Sequence, residues 1–189
     1  MTQTATSPAA PATAASTWNV DPAHSSAEFK VKHMMISNVR GKFSGITGTL
    51  HRFEADHTRS TLEVSIDAST VNTQDAQRDG HLKSPDFFHV EKFPAMTFKS
   101  THIEQKGEGY AVSGDLTIHG ETKPATLTVE DVSEPAKDPW GNTRIGLTAT
   151  TKINRKDFGL TWNSTLEAGG VLVGEDVTIT LDVELIKAA

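Results

Sequence analysis

Three residues near the start of the chain carry the side-chain types of a hydrolytic triad: Asp21, His24 and Ser25. A serine nucleophile needs a histidine base within hydrogen-bond reach and a carboxylate to orient that base. Ser25 directly follows His24, and adjacent residues of a strand point to opposite faces, so the two do not meet there. No GxSxG elbow presents a serine in another way. His24 with distant carboxylates is also the one arrangement that offers a metal site. The other histidines (His33, His51, His57, His81, His89, His102 and His119) are scattered, and no HxH or HExxH spacing pairs them. With no cysteine in the chain, thiol nucleophiles, disulfides and Cys-ligated zinc or iron–sulfur sites are excluded. No glycine-rich loop joins a strand to a helix as a phosphate site requires. Asp21, His24 and Ser25 therefore read as hydrogen-bonding groups at a strand start. No catalytic residue, metal or cofactor is expected.

A second chemical group lies in residues 74–94, where Arg78, His81 and Lys83 suit an anionic or quinone head group. Asp75, Arg78 and Asp79 are spaced for one or two helical turns, in which opposite charges pair. Phe87, Phe88 and Phe93 give the segment an apolar side, and Pro85 and Pro94 interrupt it. It reads either as a lid across a barrel mouth or as a crossover whose phenylalanines plug the barrel end. In the bland reading, Arg78 pairs with Asp75 or Asp79 and only holds the segment in shape.

The elements that position these groups are strands. Apolar and polar residues alternate with period two, as in half-buried antiparallel strands. Phe29 and Val31, Val64 and Ile66, Met96 and Phe98, and Leu116 and Ile118 fall on one face. Leu127 and Val129, Leu147, Ile153, Ile179 and Leu181 continue the same face. Threonine is the commonest residue, 25 in all, and a β-branched hydroxyl suits the wet side of such strands. About eight strands, several of ten or more residues, favour closure into a barrel, because closure removes exposed edges. An all-β, eight-stranded antiparallel barrel with a short helical lid is the expected fold. Ala27, Ala68, Gly114 and Ala149 are small residues on the inward side, which points to a cavity rather than a filled interior. Met35, Phe43 and Phe158 join the expected lining together with Phe87 and Phe88; flexible methionines at a mouth fit varied ligands.

At 189 residues the chain is about one domain. No run reaches the ~20 apolar residues of a membrane helix. A net charge of −6 argues against a broad nucleic-acid face. Residues 1–17 hold only Ala, Thr, Pro and Ser besides Met1 and Gln3, and read as a disordered leader before a domain at 18–189. The leader lacks the basic and apolar regions of a secretory signal. The expected compartment is the cytoplasm, or the periplasm if an export segment precedes Met1.

Trp18-Asn-Val-Asp21-Pro-Ala-His24-Ser25 resembles the opening signature of the YceI-like family of lipid- or polyisoprenoid-binding proteins. The resemblance continues in Val39-Arg-Gly-Lys-Phe43, Arg78-Asp79-Gly-His81-Leu82, Asp86-Phe87-Phe88 and Phe93-Pro94-Ala-Met96-Thr-Phe98. It runs on through Gly114-Asp-Leu116-Thr117-Ile-His-Gly120, Trp140-Gly141-Asn-Thr-Arg144-Ile-Gly146, Ile153-Asn-Arg155-Lys-Asp157-Phe158-Gly159 and Gly169-Gly170-Val-Leu-Val-Gly174. It implies a lipocalin-like extended barrel with a hydrophobic channel and a ligand such as a prenyl quinone or another long-chain amphiphile. It carries over no catalytic residue. Many members have a secretory signal, which this chain lacks.

The expected function is non-enzymatic binding, storage or transport of a polyisoprenoid or similar lipid. Expected partners are that ligand, a transiently contacted membrane and a second copy of the chain in a C₂ homodimer. A small enzyme acting on an apolar substrate and a filled, stress-protective barrel are the alternatives. Strands of about twelve residues, tilted in a barrel, give a height of about 30 Å, enough for roughly six extended isoprene units.

Overall fold

A computed structural model of the protein describes residues 15–167 and 169–189. The alternating runs form strands β1 (Ser16–Val20), β2 (Ser26–His33), β3 (Ser37–Phe43), β4 (Ile46–Arg52) and β5 (Thr61–Asp67). Helix α1 (Ala76–Lys83) follows. Then come β6 (Ala95–Lys106), β7 (Gly109–Ile118), β8 (Glu121–Glu130), β9 (Ala136–Lys137), β10 (Thr143–Asn154) and β11 (Val173–Lys187). One antiparallel sheet closes on itself in the order β11, β1, β4, β5, β6, β7, β8, β10, with β10 pairing back to β11. This is the eight-stranded barrel that the alternation predicts, with one short helix.

β1 and β2 lie end to end along one edge of β11. Between them the five residues Asp21 to Ser25 stand opposite only Val183 and Glu184, a wide bulge that kinks the edge. β3 pairs with β2 and β4 with β1, so the four short strands act as one long, bent hairpin. Counted that way, the barrel is a simple meander. Ser16 and Thr17, expected in the leader, belong to β1 and pair with Arg52 and His51. Small polar residues fit a solvated strand as well as a disordered tail, so composition misplaced that boundary. The remainder of the expected leader, residues 1–14, lies outside the described residues.

Two buried clusters fill the barrel wall, one including Trp18, Ile46 and Leu185 and the other Phe98, Ile103, Val112, Leu127 and Val129. The small residues divide in role. Ala27 and Ala149 face the interior space. A Cβ at Gly114 would stand 2.3 Å from the Lys99 carbonyl oxygen and 2.6 Å from the Phe98 ring. Gly114 therefore admits the close approach of β6, whose register shifts between Ser100 and His102. Ala68 sits in a short 3₁₀ turn and frees no room.

α1 starts at Asp75, whose carboxylate accepts from the Arg78 N–H at 3.0 Å. Asp79 accepts from the Thr73 N–H and hydroxyl at 2.8 and 2.6 Å, tying the helix to the chain before it. Phe88 packs edge-on against Phe43 at 5.5 Å, and Phe43 meets Phe29 at 5.7 Å. The 74–94 segment thus rests on the β2–β3 hairpin as a lid. Phe93 does not join the other two phenylalanines. It meets His119 edge-on at 4.6 Å, over the Gly120 turn.

Candidate functional site

The barrel encloses a cavity of about 660 Å³ whose wall is carbon along most of its length. The wall follows from strand alternation. Phe29, Val31, Val64, Ile66, Met96, Phe98, Leu116 and Ile118 face it. So do Leu127, Val129, Leu147, Ile153, Ile179, Leu181 and Phe43, with Phe87 and Phe88 contributed by the lid segment. Two residues expected in the wall and one head-group candidate are elsewhere. Met35 is 60% exposed at the β2–β3 turn, where the strand period ends. Phe158 is buried outside the cavity, because the 3₁₀ turn Arg155–Phe158 breaks the alternation that Ile153 ends. Lys83 closes α1 and is not part of the wall.

At the lid, Arg78 and His81 reach the cavity, each with part of its polar atoms bonded within the protein. Arg78 donates from Nε to the Thr73 hydroxyl at 2.7 Å and from Nη2 to the Thr73 carbonyl at 3.0 Å. Its Nη1 lies 3.9 Å from Asp75. His81 Nε2 pairs with Asp86 at 2.9 Å, and its ring stands edge-on to Phe87 and Trp162. The rim is completed by Leu160, Trp162, Leu172 and Val173, a segment held by Arg155. That buried guanidinium donates to the carbonyls of Leu160, Trp162, Val173 and Gly174.

The opposite end of the cavity holds polar residues that sequence reasoning missed: Arg52, His57, Ser60 and Tyr110. Arg52 follows Ile46, Gly48 and Leu50 on the inward side of β4. That alternation was a usable signal, blurred by Gly48 and by the ordinary expectation that arginine faces water.

Asp21, His24 and Ser25 form no triad. Ser25 Oγ accepts from the Glu184 N–H at 3.0 Å and donates to its carbonyl, while His24 Nδ1 pairs with Asp21 at 2.9 Å. Ligand atoms of Asp21, His24 and Glu184 lie within 4.8 Å of one another. A cation already joins two of them. Arg144 Nη1 donates to Asp21 at 2.6 Å and to Glu184, and its Nε donates to Asp138 at 2.7 Å. Hydrogen bonds from Arg144 and then His24 lower the Asp21 pKa to about 2. Asp138 is more depressed still. Burial opposes its ionisation, but donors from Arg144, Asn142 and the Trp140 backbone outweigh it. The cluster clamps the β1–β2 bulge to β10, β11 and the 138–142 turn.

A sequence profile described as the YceI-like domain matches residues 18–185. A UPF0312 protein of Serratia proteamaculans is 38% identical over 165 residues, covering 87% of this chain and 82% of its own. One from Vibrio cholerae is 39% identical over 139 residues, 73% of each chain. Among solved structures, the Campylobacter jejuni YCEI protein superposes with a TM-score of 0.69 at 34% identity, covering 85% of this chain and 91% of that one. Burkholderia cenocepacia BcnA shares the fold, with a TM-score of 0.75 at 22% identity over 87% and 98% of the two chains. So does a domain from Saccharophagus degradans, described as polyisoprenoid binding and implicated in plant cell wall breakdown, at 0.63 and 16% over 90% and 98%. Fold and sequence signature thus agree, and the chain belongs to the YceI-like domain family.

Proposed function

We propose that the protein binds the long apolar chain of a polyisoprenoid, prenyl quinone or similar amphiphile in its channel and carries or stores it without chemical change. The 660 Å³ apolar cavity inside the barrel carries this reading. An apolar cavity of about 150 Å³ takes one benzene, so this one takes roughly 25 carbons, about five isoprene units. The polyisoprenoid-binding description of the Saccharophagus degradans domain, which shares the fold, supports the choice of ligand.

Moving ~25 carbons out of water at about 0.8 kcal/mol each would reach the ceiling of noncovalent affinity, about 20 kcal/mol. The ligand's alternative is a membrane, where its chain is already dry. Exchange between membrane and channel is therefore close to neutral per carbon, which suits reversible carriage. The β2–β3 tip beside the channel mouth serves that exchange. Met34, Met35 and Ile36 are 38, 60 and 79% exposed there, above a stem whose outer face carries Lys30, Lys32, Arg40 and Lys42, with Glu28 opposite Lys42. Apolar tip and basic stem match an anionic lipid surface.

The test is organic extraction and mass spectrometry of the purified protein, beside its native mass spectrum. A stoichiometric long-chain lipid is expected, and Leu116→Glu, which puts a charge in the wall, should abolish it. Protein that is empty and refuses prenyl quinones and fatty amides would overturn the proposal.

A further inference from the structure

Arg52 is an inward residue of β4 in a wall that is otherwise apolar on that strand, following Ile46 and Leu50. Its side chain is 15% exposed. Two edges of the guanidinium are held: Nε lies 3.5 Å from Glu54, and Nη2 lies 3.5 Å from His57 Nε2. His57 Nδ1 faces the Phe53 carbonyl at 2.9 Å, which places the ring proton on that nitrogen and turns a lone pair toward Arg52. The third edge is different. Nη1 is buried without a hydrogen-bond partner, one of two such side-chain atoms among the described residues. The other, His119 Nε2, is not in the channel wall.

The guanidinium also lies 5.9 Å from the centre of the Trp18 ring, which leaves Nη1 packed but without an acceptor, and a buried unmatched donor is costly. Its neighbours supply donors too. Ser60 Oγ accepts from the Phe53 N–H at 3.1 Å, which leaves its own proton free to donate. Tyr110, edge-on to His57 with ring centres 6.0 Å apart, brings a phenol to the same end. No carboxylate lines this end of the cavity. At the lid, Arg78 is bonded through Nε and Nη2 to Thr73, and His81 through Nε2 to Asp86.

We propose that the channel reads its ligand's head at the end remote from the lid, where Arg52 Nη1, Ser60 and Tyr110 bind an oxygen acceptor such as a quinone carbonyl or a phosphate oxygen. The chain then runs toward α1, and units beyond about five emerge at the lid. Head chemistry is selected and chain length is tolerated. The inference rests on the proposed function and adds an orientation to it.

The experiment measures affinity for three compounds delivered from cyclodextrin: a menaquinone with a four-unit chain, geranylgeranyl phosphate, and squalene, which has no head. Arg52→Leu should weaken the quinone and the phosphate by about 10- to 100-fold and leave squalene unchanged. Loss for the phosphate alone marks an anionic head, and loss for both marks oxygen acceptors in general; either supports the assignment. The infrared carbonyl stretch of bound ¹³C-labelled menaquinone should lie at a lower frequency in the native protein than in Arg52→Leu. Should Arg52→Leu misfold, Tyr110→Phe should still weaken the headed compounds several-fold relative to squalene. Equal weakening of all three compounds, or loss of the headed ones on Arg78→Leu instead, overturns the proposal. Native protein that binds none of the three refutes the carrier function itself, a distinct result.

Discussion

Arg144 bridges three carboxylates at once, and removing it takes away the one guanidinium that Asp21, Asp138 and Glu184 share. Arg144→Met should cost about 3 kcal/mol in urea unfolding, as breaking a buried ion pair does. Asp21 gives the same clamp a pH signature. Its folded pKa of about 2 lies below the ordinary 3.8, so its contribution is complete above about pH 4 and is lost as pH falls through 2. Asp21→Asn should lower stability near neutrality, where the contribution is complete, and flatten the profile between about pH 4 and 2. Residue types alone suggested a triad or a metal here. What decided otherwise was a partner 123 positions away, Arg144, which no local spacing reveals. The channel residues were legible because a two-residue period assigns faces without knowledge of the partner strand. It failed at Met35 and Phe158, where a turn and a 3₁₀ segment suspend the period, and at Arg52, where polarity argued against the inward face.

Among the elements, α1 and the β2–β3 tip border the mouth. α1 buries none of its residues fully and carries Gly80 mid-helix, where a Cβ would meet nothing within 4 Å. Gly80→Ala should stabilise the helix by about 0.5–1 kcal/mol and slow amide exchange in the lid. The tip is strained instead. Met34 and Met35 have φ of 50° and 61° in a turn closed by the Ile36 N–H on the His33 carbonyl. Bulky residues are disfavoured there by roughly 1 kcal/mol each. The paired change Met34→Asn with Met35→Gly should therefore raise stability by about 1 kcal/mol while lowering cosedimentation with phosphatidylglycerol vesicles about tenfold. A tip selected only for its fold would gain on the first measure and lose nothing on the second. Composition located the lid because its charges and phenylalanines interrupt the strand pattern. It did not separate Phe93 from Phe87 and Phe88, since only the packing of Phe93 on His119 distinguishes them.

The whole barrel was readable from strand number and alternation, but the joint construction of its first two strands was not. β1 with β2, and β3 with β4, are each divided by short irregular stretches, and the divided pieces align only because β11 is long enough to pair with both β1 and β2. Such a shell has an interior that gains stability from a guest. A bound lipid at a hundred times its Kd adds about 2.7 kcal/mol, which at this chain size is about 5–10 °C in Tm. Differential scanning fluorimetry before and after delipidation should show that fall, and prenyl quinone should restore it. A chain without cysteine has no covalent means of tying a loop shut. Arg155 does so through four carbonyls that bracket both ends of the 160–174 segment. Oxidants and reductants leave that staple alone, and a guanidinium keeps its charge across the biological pH range. That side of the rim therefore depends on no redox-sensitive bond, in oxidising and reducing surroundings alike.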